Sequence, residues 1–174
     1  DGTPDARVQL TQRMADGMKR AWEATKKSPI TANDLDWRIE RVKLPLAASL
    51  NGETLEKTLA DEKADVRNRL NASTKLALLN RTEAGHEFEL TRLRLGRVNV
   101  LHMPGELFVE YQLAAQQRKP DATVCMAAYG DYAPGYIGTE IAYTQGGYEV
   151  QTSSSNTAPQ VEKVLMEAMR RLLE

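Results

Sequence analysis

Apolar and polar positions switch between two periods along the chain, and the switches mark its elements. Val8, Leu10, Met14, Met18 and Trp22 recur near the helical period, and Pro4 suits a first helical turn, so the chain should open with a helix. Beyond "SPITANDL", Leu35, Trp37 and Ile39 alternate with polar residues, and Val42, Leu44 and Leu46 continue in shifted phase. That pattern predicts a strand with a bulge. Residues 52–82 are charged and predict two or three short helices, broken near Asp61 and Asn71. "HEFELTRLRLGRVNVLHMPGE" predicts a β-hairpin turning near Gly96, whose second strand enters a Pro-Gly turn. A helix over Glu106–Gln117 follows, then a continuous apolar strand in "DATVCMAAYGD", of the kind found inside a covered sheet. A last helix spans 158–173, started by Pro159.

These elements add up to an α/β (mixed α+β) fold, a mixed sheet covered by helices, with residues 1–174 forming one domain or a fragment of one. Two irregular segments leave the ends of presumed central strands: Met103-Pro104-Gly105-Glu106, and the Gly-, Ser- and Tyr-rich stretch 131–152. Long loops in small domains are functional or disordered, and four tyrosines between Tyr132 and Tyr148 argue against disorder. Ligands of helix-covered sheets bind beyond the carboxyl ends of strands, which brings Glu106 and the tyrosine loop toward one site.

Composition narrows the function. A formal charge of −1 gives no electrostatic reason to expect nucleic acid. No apolar run reaches the roughly 18 residues of a transmembrane segment. Cys125, the one cysteine, lies in an apolar run and reads as a small buried hydrophobe. The start "DGTPDARV" carries no initiator methionine, which suggests a piece of a longer protein. The only histidines are His86, expected at the surface, and His102, expected in a structural role or behind metal ligands. They have no zinc-motif spacing. Ser153, Ser154 and Ser155 lack a nucleophile elbow and read as turn residues. Glu106 either caps its helix or delivers a ligand or acid to the sheet edge. Tyr136, Tyr143 and Tyr148 are packing residues, phenolate ligands or donors to an oxyanion.

"MPGELFVEY" followed by "GDYAPGYIGTEIAYTQGGYE" resembles the C-terminal part of the neutral/alkaline ceramidase catalytic domain. Pro104-Gly105-Glu106 matches that family's zinc-binding glutamate turn, and Tyr136-Ile137-Gly138-Thr139 its Tyr-x-x-Thr segment, whose tyrosine also binds zinc. Tyr148-Glu149, twelve residues beyond Tyr136, matches its Tyr-Glu pair, whose tyrosine stabilises the oxyanion. The resemblance implies zinc ligands at Glu106 and Tyr136, catalytic Tyr148, and supporting roles for Thr139 and His102. It implies cleavage of the N-acyl bond of ceramide or another lipid amide, and a secreted or periplasmic bacterial protein. The family's two zinc histidines belong to an N-terminal part of the domain that this chain lacks, so the chain alone should be inactive and hold zinc weakly. After Glu106 the chain reads Leu107-Phe108-Val109, where proven ceramidases have Phe-Thr-Thr. The alternative is a non-catalytic α/β module with a binding or structural role.

Overall fold

Alternation along the strands sorts the side chains of one sheet into a core face and an open face. The computed structural model of the protein describes residues 2–174. They divide into two units, one ending at Thr31 and one spanning Ala32–Glu174. The first holds helix α1, Pro4–Ala24, whose N-terminus is capped by the Thr3 side chain accepting from the Ala6 N–H. The predicted apolar positions do lie on a helix, but Val8, Leu10, Met14, Met18 and Trp22 are all exposed.

The second unit carries a four-stranded sheet. Strand β1 (Leu35–Val42) pairs antiparallel with β2 (Phe88–Leu95), which forms a hairpin with β3 (Val98–His102). Between β1 and β2 lie helices α2 (Gly52–Ala60) and α3 (Val66–Glu83). Next come a short strand β4 (Glu106–Leu107) and helix α4 (Val109–Arg118). Strand β5 (Thr123–Ala127) then returns parallel to β3, giving the order β1-β2-β3-β5. Strand β6 (Tyr136–Ile137) pairs parallel with β4, and helices α5 (Glu140–Gln145) and α6 (Val161–Leu173) complete the chain. The fold is mixed α/β.

The core lies between the sheet and helices α4 and α6. Phe88, Leu90, Leu101 and Val124 of the strands meet Tyr111 and Ala115 of α4, and Val161, Leu165, Ala168, Met169 and Leu172 of α6. The α6 set recurs at three- and four-residue steps, one face of a helix. Each fully buried Leu or Phe contributes about 1.5–3 kcal/mol over leaving it exposed. The opposite sheet face is open: Leu35, Trp37 and Ile39 are 48%, 52% and 46% exposed.

Several expected features differ. β1 has no bulge, because its register with β2 is unbroken from Leu35–Leu95 to Val42–Phe88. The apparent phase shift arises where apolar residues pass from the open face to the core at Val42 and Leu44. α3 runs unbroken through Asn71, which is exposed. β5 is an edge strand, and Cys125, the register partner of Val100, lies on the open face and is exposed, not buried.

Candidate functional site: a carboxylate among tyrosines

The parallel ladder of β3 and β5 ends at His102 and Ala127, and the two segments that leave these strands then clasp each other outside it. Met103 N–H donates to Ala127 O, Gly130 N–H to Met103 O, Tyr129 N–H to Gly105 O and Gly105 N–H to Asp131 O, at 2.8–3.2 Å. Gly105 takes φ +62°, and a Cβ there would stand 2.5 Å from the Gly135 carbonyl oxygen, so the turn admits only glycine. Glu106 N–H then donates to Gly135 O, and Glu106 becomes the direct register partner of Tyr136.

This corrects the helix start. Glu106 lies in β4 and does not cap α4, which begins at Val109 after Phe108 with no side-chain cap. A two-residue strand holding a partner distant in sequence aims the carboxylate where helical backbone would turn it away.

Around the half-buried Glu106 carboxylate stand phenols. Tyr132 Oη donates to Glu106 Oε2 at 3.5 Å. Hydrogen bonding to Glu106 is the main reason the Tyr129 phenol sits above its ordinary pKa. Desolvation raises Tyr132 and Tyr136, and the charge and hydrogen bonding of Glu106 raise both further. The rings are ordered in pairs: Tyr129 stacks on Tyr132 at 5.9 Å, and Tyr148 meets Tyr136 edge-on at 6.0 Å. Tyr129 itself has φ +66°, rare for a bulky residue and of the kind that clusters at functional sites.

Glu106, Tyr136 and Tyr148 thus come together. Thr139 is buried and precedes α5 as its N-cap residue, three positions after Tyr136. His102 is exposed; its Nδ1 lies 3.3 Å from Thr91 Oγ1 and its ring 6.2 Å from Trp37. Tyr143 is tied to Ser155 and Thr157 through its hydroxyl, a structural arrangement. Sequence reasoning did not single out Tyr129 or Tyr132; the signal was present in "YGDYAPGY", three tyrosines within eight residues of the turn's partner loop.

A cavity of about 530 Å³ opens beside the cluster, between α3 and the tyrosine loop. Tyr132, Tyr136 and Tyr148 form one wall, and Lys75, Leu78 and Arg81 the other. Lys75 Nζ fastens the two walls by donating to Thr152 O at 2.7 Å. As a metal site the cluster is partial. It offers a carboxylate and phenols, hard oxygen donors, but among the described residues no three His, Cys, Asp or Glu side chains could hold a metal ion.

No protein-family model and no curated protein sequence matches the chain. Among solved structures it is similar to the neutral ceramidase from Pseudomonas aeruginosa, with TM-score 0.51 and 16% identity, covering 80% of this chain and 28% of that one. It also matches a ceramidase complexed with C2, with TM-score 0.49 and 14% identity over 80% of this chain and 29% of that one. The first likeness defines a ceramidase-like fold. The chain spans little more than a quarter of the length of these ceramidases.

Proposed function

We propose that the chain is the C-terminal part of a zinc-dependent amidohydrolase domain that cleaves the N-acyl bond of ceramide or a related lipid amide. The observation that carries this reading is the direct pairing of Glu106 with Tyr136 on adjacent parallel strands, with Tyr148 against the Tyr136 ring. The ceramidase-like fold supports it. Glu106 and Tyr136 would hold the metal from this chain, and two histidines from an N-terminal part of the domain would complete the site. Zinc, when bound, would supply Lewis-acid polarisation of the amide carbonyl and a water activated near neutral pH. The chain's own residues do the rest. Tyr136, held protonated by desolvation and by Glu106, must release its proton to serve as a ligand. Tyr148, exposed at the cavity wall, donates to the oxyanion of the tetrahedral intermediate. The cavity receives the lipid amide. The N-terminal part is thus a partner as well as a source of ligands, and the family resemblance favours a secreted or periplasmic setting.

The test is made on the complete enzyme. Tyr148→Phe should lower kcat by about 10²–10³ with metal content intact, because it removes one oxyanion donor. Glu106→Gln should lower zinc occupancy, because a neutral amide replaces a charged ligand. The 174-residue chain by itself should bind zinc weakly, since two oxygen ligands lack chelation. Tyr148→Phe losing metal as severely as Glu106→Gln, or keeping full activity, would overturn the roles.

A further inference from the structure

Arg92 and Arg94 alternate along β2, and Arg38 of β1 pairs with Arg92, so the three share one sheet face. Arg38 stands directly opposite Arg92, and Asp36 opposite Arg94, with Arg94 in turn opposite Asn99 of β3. Like charges placed directly opposite are destabilising unless something lies between or above them. These side chains, together with Arg97 and Lys119, line a cavity of about 370 Å³. It lies at the amino ends of β3 and β5, whereas Glu106 follows their carboxyl ends.

The charges there do not balance. The cavity's two carboxylates are Asp36 and Glu174. Asp36 is shared between Arg92 and Arg38, and Glu174 already pairs with Arg170. Arg94, Arg97 and Lys119 take part in none of the ion pairs among the described residues. A chain of formal charge −1 therefore concentrates three unmatched cations at one cavity. Below them, Arg92 is 3% exposed and its buried Nε has no hydrogen-bond partner. Burial and repulsion from Arg38 pull its pKa below the ordinary value, against the raising effect of Asp36. Buried arginines normally have acceptors for their donors, so this one is short of an acceptor at Nε.

We propose that this cavity binds a phosphate-type oxyanion, clasped by Arg94 and Lys119 over the buried Arg92–Asp36 pair. Guanidinium groups match a tetrahedral oxyanion with paired N–H donors, and the cavity is too small for a folded partner but ample for a phosphate ester. The site is separate from the hydrolase reading and stands or falls without it.

The test titrates the 174-residue chain with inorganic phosphate at constant ionic strength, chloride making up the balance. Saturable binding in one-to-one ratio is expected. Arg94→Gln and Lys119→Gln, both partly exposed and free of ion pairs, should each weaken it about tenfold, the loss of one charge-assisted contact. Arg41→Gln, which removes the surface pair with Glu89, should leave it unchanged. Glycerol phosphate and phosphatidylcholine vesicles carrying phosphatidic acid then separate the two sources. Binding of the soluble ester alone assigns a soluble phosphate, and vesicle binding lost in Arg94→Gln assigns a lipid headgroup. Phosphate acting no differently from chloride, or Arg94→Gln and Lys119→Gln binding as the unaltered chain does while all fold alike by circular dichroism, would overturn the proposal.

Discussion

Tyr111 shows how a single side chain far from solvent positions the cluster around Glu106. It is fully buried, and its hydroxyl donates to the Gly138 carbonyl at 2.9 Å, tying α4 to the residue that follows β6. Burial drives its phenol well above the ordinary value, with Glu162, Tyr143 and Glu110 adding to the shift. Tyr111→Phe should destabilise the chain by about 1–3 kcal/mol, since the Gly138 carbonyl loses its donor in the interior. The pH dependence has a definite sign. The folded pKa is raised, so the contribution is whole below the unfolded value near 10, and is lost as the unfolded chain ionises above it. The stability gap between the two proteins should therefore narrow by about 1.4 kcal/mol per pH unit beyond about 10. Urea midpoints at pH 7 and pH 11 measure it; the other tyrosines titrate in both proteins and cancel. A gap that stays constant would mean that Tyr111 ionises as easily folded as unfolded.

At the scale of elements, the strand-exit turn was readable from Pro104-Gly105 because only a few residue types suit such a turn. Helices α1, α4 and α6 and the β2–β3 hairpin followed from their periods, whereas α5 lies in the stretch that reads as a loop. The state of Glu106 did not, since a two-residue strand has no period and its partner Tyr136 lies thirty residues on. Cys125 was misplaced for a related reason: a wholly apolar run hides which residues alternate outward, and edge position is a property of the sheet. Tyr129 and Tyr132 were missed because a clasp of loop backbone, not a repeat, brings them to Glu106. Gly105→Ala tests that clasp. Gly85, with φ +88° and no atom within 4 Å of an added Cβ, serves as the reference for backbone strain alone. Gly85→Ala should cost about 1 kcal/mol, and Gly105→Ala up to about 3 kcal/mol, because its Cβ also meets the Gly135 oxygen. Thermal unfolding measures both. Equal losses would show that β4 and β6 can part without cost.

At the scale of the Ala32–Glu174 unit, helices cover one sheet face and leave the other apolar and open, so the same residue types carry different weight on the two sides. Leu101 is fully buried among the α4 and α6 side chains, whereas Trp37, a larger hydrophobe on β1, is 52% exposed. Leu101→Ala should cost about 2–5 kcal/mol, the sum of lost transfer energy and the cavity left behind. Trp37→Ser should cost less than about 1 kcal/mol in urea unfolding, as surface replacements do. Trp37→Ser should also reduce the binding of a hydrophobic fluorescent dye, because Leu35, Trp37 and Ile39 together form an exposed apolar patch. Leu101→Ala has no reason to reduce dye binding, and a loosened core would raise it. The two readouts therefore separate hydrophobic burial that holds the fold from hydrophobic surface that the fold leaves bare. If Trp37→Ser destabilised the chain as much as Leu101→Ala, with dye binding unchanged, the β1 face would have to be covered in solution.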